Sequence, residues 1–223
     1  MNQTTGTLYI VSTPIGNLAD ITLRAIETLK TVDLIAAEDT RHTKILTSHY
    51  DIKTPLTSFY EYNKITKGPY LIDQLKKGKN VALVSDAGTP GISDPGYTII
   101  RDAINNGINI IPIPGPAALI AALVISGKPT HRFSFEGFLP VKSGARKNKL
   151  KSISQHETTT IIYESPHRLL KTLQDMLEVL GDRKIVCARE LTKKFEEVKR
   201  EKISELIGHF TKNEIRGEFI IIF

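Results

Sequence analysis

Short β-branched runs alternate with helical patterns along this chain, and that rhythm limits the folds open to it more than any other feature. Thr7 to Val11 reads as a strand, and Asp20 or Thr22 can cap a helix carrying Leu23, Ile26 and Leu29. Leu34 to Ala37 reads as a second strand and Thr40 to His49 as a second helix. Val81 to Ser85 is a buried strand after a helix containing Leu71, Ile72 and Leu75. Ile108 to Ile113 is another, preceded by a helix through Ile99, Ile100 and Ile104. Strands alternating with helices imply an α/β fold with a mostly parallel sheet.

Pro112-Ile113-Pro114-Gly115-Pro116 punctuates the chain, and Ala117 to Ile125 reads as a helix of small residues. The second half has its own strands at Arg132 to Glu136, Thr159 to Tyr163, Lys184 to Ala188 and Glu218 to Phe223. Its clearest helix runs from Ser165 to Leu180, with Ser165 as N-cap, Pro166 in the first helical position and Gly181 after the end. Leu169, Leu170, Leu173, Met176, Leu177 and Leu180 form one apolar face at a period of 3.6, which reads as core. With 223 residues, 40% of them hydrophobic, the chain can build two cores. Two α/β domains are expected, 1–116 and 117–223, with a cleft between them as the natural place for a ligand.

No window approaches the roughly 18 continuous apolar residues that span a bilayer. Met-Asn-Gln-Thr-Thr lacks the basic and apolar regions of a signal peptide, so Asn2-Gln3-Thr4 reads as a chance sequon. The single cysteine, Cys187, excludes an internal disulfide and reads as a buried, inert thiol within Ile185-Val186-Cys187-Ala188. A cytosolic protein is expected. Lys and Arg total 30 against 24 Asp and Glu, a formal charge of +6 that suits a polyanion partner without requiring one.

Six loops at strand ends carry candidate chemistry. Ser12-Thr13-Pro14-Ile15-Gly16-Asn17 follows the first strand but has neither Walker A nor dinucleotide spacing. Ser85 to Gly96 holds three glycines, two prolines, two aspartates and no cation. A connection needs only about two to six residues, so this longer, stiff loop points to a ligand, and its charge suits a neutral or cationic one. Pro114-Gly115-Pro116-Ala117-Ala118 opens a helix; its small side chains leave room for a ligand or for tight helix–sheet packing, and both readings stay open. Glu38 to His42, Tyr163 to Arg168 and Ala188 to Lys194 each set acids beside bases at a strand end, as salt-bridge clusters or as parts of a shared site. His42, His156 and His167 lack metal-ligand spacing, and no metal is assigned. Lys142, Arg146, Lys147, Lys149 and Lys151 form a basic run with no acid between Leu139 and His156, made flexible by Ser143 and Gly144. It is either a solvated helix face or a phosphate contact.

Taken together, STPIGN at 12–17, AEDTRHT at 37–43, SDAGTPGISDPG at 85–96, PIPGPAA at 112–118, FEGFLP at 135–140, YESPHR at 163–168 and ARELTKKFEE at 188–197 resemble the S-adenosylmethionine-dependent tetrapyrrole-methylase superfamily. The EDTR, YESPHR and RELTK elements are similar to its small-subunit ribosomal RNA branch. The resemblance covers essentially the whole chain. It implies a homodimer of two-domain subunits with S-adenosylmethionine in the interdomain cleft. It implies 2′-O-methylation of a cytidine ribose in the decoding region of 16S rRNA, on the small ribosomal subunit. Carried over by motif, the cofactor contacts are Pro14, Ala87, Gly88, Thr89, Ile92, Ser93, Ala117, Ala118, Tyr163 and Ala188.

In-line displacement at a methyl carbon gains most from alignment, about 7–11 kcal/mol, against roughly 3–5 kcal/mol from a general base. Asp39, Glu190 and Lys193 are the candidates to take or orient the hydroxyl proton, and Lys193 would have to be neutral to act as a base. Arg41, Arg168 and Arg189, with Lys142, Arg146, Lys147 and Lys149, are the candidate RNA contacts. Two rival readings are a porphyrinoid methyltransferase on the same fold and a non-catalytic ribosome-assembly factor.

Overall fold

A computed structural model describes residues 5–223, and the Asn2-Gln3-Thr4 sequon lies outside them. The chain divides into two compact units, the first ending at Ala117 and the second spanning Ala118–Phe223.

The first unit runs β1 (Thr7–Val11), α1 (Leu23–Thr31), β2 (Leu34–Ala37), α2 (Thr40–His49), β3 (Leu56–Ser58), α3 (Lys64–Lys76), β4 (Val81–Val84), α4 (Gly96–Asn105) and β5 (Asn109–Ile113). Its five strands lie in the order β3-β2-β4-β1-β5, every pairing parallel. Side chains alternate across such strands, so two cores form. Leu8, Ile10, Ala36, Val81 and Leu83 meet Leu71 and Leu75 of α3 and Ile99 of α4 on one face. Val11, Ile35, Ala37, Ala82 and Val84 meet Ala25 and Leu29 of α1 and Leu46 of α2 on the other. Thr22, not Asp20, caps α1, its side chain accepting from the Ala25 N–H at 3.1 Å. Pro112 lacks an N–H to give a neighbour and sits in β5, an edge strand that can spare one.

The second unit runs α5 (Ala118–Ser126), β6 (Phe133–Phe138), α6 (Ser143–Ile153), β7 (Thr159–Glu164), α7 (Leu169–Leu180), β8 (Lys184–Arg189), β9 (Glu197–Lys202), α8 (Ile203–Lys212) and β10 (Phe219–Ile222). Its sheet departs from the parallel expectation. Only β6–β7 is parallel in the order β6-β7-β10-β8-β9, because β10 inserts antiparallel between β7 and β8, and β9 returns antiparallel on β8. Leu150, Leu173, Met176, Leu206 and Phe210 of α6, α7 and α8 cover the face carrying Ile162, Cys187, Phe219 and Ile221.

The apolar face of α7 is core: Leu169, Leu173, Met176 and Leu180 are buried, with Leu170 and Leu177 packed partly buried beside them. Its start differs from the sequence reading. The helix begins at Leu169, and Ser165 contributes its carbonyl to the Leu169 N–H rather than its hydroxyl as a cap. No side chain caps α7; the Glu164 carboxylate instead accepts from the Ser165 N–H at 2.8 Å and from the Thr172 hydroxyl at 2.6 Å.

Cys187 is buried, and desolvation pushes its thiol up to about 12. The folded protein is therefore expected to resist a thiol-labelling reagent at pH 8, with labelling appearing only at denaturant concentrations that unfold the second unit. Fast labelling of the native state would contradict this packing.

Candidate active site

Because the first sheet is parallel, the carboxyl ends of all its strands share one edge. The connection from β1 leads to β2 on one side, and that from β4 leads to β5 on the other. Adjacent strands whose connections leave in opposite directions open a crevice at that edge, where α/β folds bind ligands. The loops Ser12–Asn17 and Ser85–Gly96 are the two that border it.

These loops are tied together by backbone. The Thr13 N–H donates to the Gly88 carbonyl at 2.9 Å, and the Gly88 N–H returns to Thr13 at 3.0 Å. The Thr89 hydroxyl donates to the Pro116 carbonyl at 3.1 Å and lies 2.9 Å from Ser12 Oγ, which joins the third loop to the first two. Asp94 accepts from the Gly91 and Gly96 N–H groups at 2.7 and 2.8 Å and holds the long loop in shape. Gly88 and Gly91 have φ of 82° and 91°, and Ser93 shares the left-handed region at 64°. A Cβ on Gly115 would lie 2.9 Å from Ser12 Cβ, so tight packing does account for that glycine. Pro14, Ala87, Gly88, Thr89, Ile92 and Ser93 thus stand on the two joined loops, and Ala117 ends the third.

The electrostatics favour a cation. The segments 12–17, 85–96 and 114–118 carry two aspartates and no basic residue. Next to them Glu38 accepts from the Asp86 N–H at 3.2 Å, and Asp86 accepts from the Asp39 N–H at 2.9 Å. Burial, with the charges of Asp86, Asp94 and Asp39 adding to it, holds Glu38 above the usual carboxylate range. A positively charged sulfonium would relieve that crowding, whereas a polyphosphate would add to it, so these residues fit S-adenosylmethionine. Asp39 behaves oppositely: hydrogen bonds from the Arg41 guanidinium and N–H bring it down to about 2.

In the second unit the sheet register aligns Tyr163 and Ala188, because both pair with Ile220 of β10. The Tyr163 ring has Phe135 and Phe138 edge-on at 4.8 and 5.9 Å. Beyond β8 the chain turns through Glu190 and Thr192, both left-handed at φ 51° and 67°, a strain that two non-glycine residues adopt only when held there. The Glu190 carboxylate supplies the hold, accepting from the Glu218 N–H at 3.0 Å and the Lys193 ammonium at 2.9 Å. It lies across Gly217, where a Cβ would come within 2.4 Å of Glu190 Cγ.

This arrangement corrects the neutral-lysine reading. Burial draws Lys193 down, but its bonds to Glu190 and Glu218 outweigh burial and leave it raised, so it stays an ammonium. Partial burial pushes Glu190 up, and Lys193, the Glu218 N–H and Arg189 together bring it below the ordinary range, which makes it a weak base.

The basic run is also corrected. Segment 143–153 is an ordered helix, and Arg146 is 3% exposed within it. Its Nε donates to Asp175 at 2.7 Å, its Nη1 donates to the Val141 carbonyl, and the Ser143 hydroxyl donates to the same carboxylate. Lys147 pairs with Glu178 and Lys149 with Glu136, acids remote in sequence. Arg168 donates to the Leu139 carbonyl at 2.6 Å and Arg189 to the Arg216 carbonyl at 2.7 Å. Of the seven candidate RNA contacts, Lys142 and Arg41 are exposed, Arg41 while paired with Asp39. Sequence reasoning placed Glu38 and Glu164 within acid–base motifs without giving either a role, and passed over Gly217; only the tertiary partners of each reveal what it does.

The fold and these loops define a methyltransferase of the α/β class, and the chain belongs to the tetrapyrrole (corrin/porphyrin) methylase family, whose model matches residues 7–207. Ribosomal RNA small subunit methyltransferase I of Halalkalibacterium halodurans is 53% identical over 217 residues, 97% of this chain and 75% of that protein. The protein of the same name from Thermotoga maritima is 49% identical over 97% of both chains. Among solved structures, cobalt precorrin-4 methyltransferase superimposes with a TM-score of 0.74 at 19% identity, covering 97% of this chain and 93% of that one. Diphthine synthase does so at 0.72 and 15%, covering 98% and 90%. At those identities the likeness is one of fold.

Two outcomes follow. Arg146→Met leaves buried Asp175 with only the more distant Lys147 ammonium at 3.7 Å and is expected to cost about 3–5 kcal/mol of stability, read from denaturant unfolding. Glu38→Gln is expected to raise the thermal midpoint at pH 7. A carboxyl whose folded pKa is raised opposes folding once ionised, so the gain should vanish as the pH falls through the Glu38 titration.

Proposed function

We propose that this chain transfers a methyl group from S-adenosylmethionine to the 2′-oxygen of a cytidine ribose in the decoding region of 16S rRNA, on the small ribosomal subunit and as a homodimer. One observation carries the reading: relatives about half identical over nearly the whole chain bear the name ribosomal RNA small subunit methyltransferase I. The acid-bordered, cation-free loops at the switch point support the cofactor, and the EDTR, YESPHR and RELTK elements support the RNA branch. The porphyrinoid reading rests on likeness of fold alone.

Pro14, Ala87, Gly88, Thr89, Ile92, Ser93, Ala117, Ala118, Tyr163 and Ala188 would hold the cofactor, which supplies a methyl group on a positively charged sulfur. The Thr13–Gly88 bridge keeps the loop backbone rigid, so alignment of the two reactants provides most of the acceleration. Glu38, the acid of this edge with raised proton affinity, takes the 2′-hydroxyl proton as the carbon–oxygen bond forms and the carbon–sulfur bond breaks. Asp39, held ionised by Arg41, and the Glu190–Lys193 pair orient the ribose rather than accept the proton.

Purified protein incubated with methyl-labelled S-adenosylmethionine and small subunits lacking the modification should place label on a single ribose. Glu38→Gln should slow single turnover by about 10²–10⁴-fold, and Glu190→Gln by less. Label on a base, or none with cofactor bound, would overturn the reaction. A normal rate in Glu38→Gln would remove the base while leaving the reaction intact.

A further inference from the structure

The loop beyond β3 belongs to the same carboxyl edge of the first sheet, yet none of the motifs above includes it. It continues the sheet ladder through the Phe59 N–H, which donates to the Ala37 carbonyl at 2.7 Å, and Phe59 anchors it in the core. Asn63 then locks the turn: its Oδ1 accepts from the Tyr60 N–H at 2.8 Å and its Nδ2 donates to the Ser58 carbonyl at 3.2 Å. What this rigid turn presents outward is aromatic. Tyr62 is 92% exposed, and its ring stands edge-on to that of half-exposed Tyr60 at 6.4 Å. One helical turn into α3, the Lys67 ammonium lies 5.2 Å from the centroid of the exposed Tyr70 ring, and Ile65 of the same helix is exposed.

Cations surround these rings. Lys64 and Lys67 open α3, and α2, which packs beside β3, carries exposed Arg41 and Lys44 with no acid between Thr40 and Tyr50. The acids of the neighbourhood are already engaged, Asp39 by Arg41, Glu61 by Lys64 and Asp51 by Lys53. Fixed, solvent-facing rings interleaved with cations match a single-stranded nucleic acid, whose unstacked bases lie on aromatic faces while its phosphates meet lysine and arginine. A purely apolar partner would leave those cations desolvated without compensation.

We propose that Tyr60, Tyr62 and Tyr70, with Lys67, form a stacking platform for an unpaired base of the RNA substrate, flanking the nucleotide that is methylated. The platform rests on the ribosomal RNA reading above. The chain has no tryptophan, so Tyr62→Trp introduces a sole indole at its tip. Titrated with a twelve-nucleotide single-stranded RNA, its emission should be quenched saturably and in a salt-dependent way, and a duplex of equal length should quench it far less. In the parent chain, Tyr60→Ala with Tyr62→Ala should weaken binding to small ribosomal subunits by about 5- to 150-fold while cofactor affinity holds, and the paired Phe variants should bind like the parent. Unchanged affinity in the Ala variants would overturn the platform. So would a fall in sedimenting mass with RNA affinity intact, which would make this face a contact with a second copy of the chain. Saturable quenching of the Tyr62→Trp protein by RNA, beside a parent protein that moves no methyl group, would sink the reaction proposed above while supporting the platform.

Discussion

The reciprocal pair of backbone hydrogen bonds between Thr13 and Gly88 is the constraint on which the first unit's site depends. Parallel pairing of β1 and β4 brings their carboxyl ends side by side, but their connections then depart in opposite directions. Past Val11 and Val84 the tie works with the Ser12 N–H, which donates to the Ile113 carbonyl, and the Thr13 hydroxyl, which donates to the Ser85 carbonyl, to keep the two loops together. The bridge extends the ladder by one antiparallel step, and Gly88 permits it because its left-handed backbone bears no Cβ. Thr89 passes the same constraint on to Pro116. A binding surface made largely of backbone and small side chains gains its rigidity from such ties, having few side chains to provide it.

Carboxylates do different work at each strand end, and their surroundings decide which. Asp39 faces an exposed guanidinium and stays ionised; Glu190 is clamped by Lys193 and the Glu218 N–H; Glu164 is buried and spends its oxygens on the Ser165 N–H and the Thr172 hydroxyl. Glu38 alone among them is crowded by other acids at partial burial. A site that must attract a cation and also take a proton needs such an acid, kept uncomfortable when empty. The cost of that crowding falls on stability, the usual trade at functional positions.

Much of this was legible in the sequence. Apart from the three-residue β3, the strands and helices of the first unit announce themselves by periodicity, and the apolar face of α7 does so residue by residue. The antiparallel insertion of β10 was not legible, because a buried run such as Phe219–Ile222 reads the same whichever way its neighbours point. Nor was β9, whose alternating charges Glu197, Lys199 and Glu201 carry no apolar signal and suit an edge strand instead. The start of α7 was misplaced because Ser165-Pro166 has the composition of a cap, while the carboxylate one residue earlier, a tertiary partner of Thr172, makes the local bonds. The long loop at 85–96 was readable as a ligand loop from its glycines and prolines. Glu38, after β2, was not singled out in its own motif, since its proton affinity comes from burial and from Asp86 and Asp94, about fifty residues away.

Charge shows the same divide between sequence and space. A basic run without acids for some fifteen residues invites a phosphate contact, yet α7 and β6 bring Asp175, Glu178 and Glu136 to Arg146, Lys147 and Lys149. Charges paired within about 3 Å look nearly neutral to a polyanion beyond the Debye length of roughly 8 Å. Helix α2 has the weaker run by count, but no acid interrupts it from Thr40 to Tyr50, and the acid at its cap is matched by Arg41 alone. Lys44 is therefore left to solvent. The net charge of +6 cannot distinguish these two surfaces; the acids facing each cation do. On that ground, the platform proposed at the edge of the first unit, where the ligand-binding loops of a parallel sheet also lie, has the more open cations.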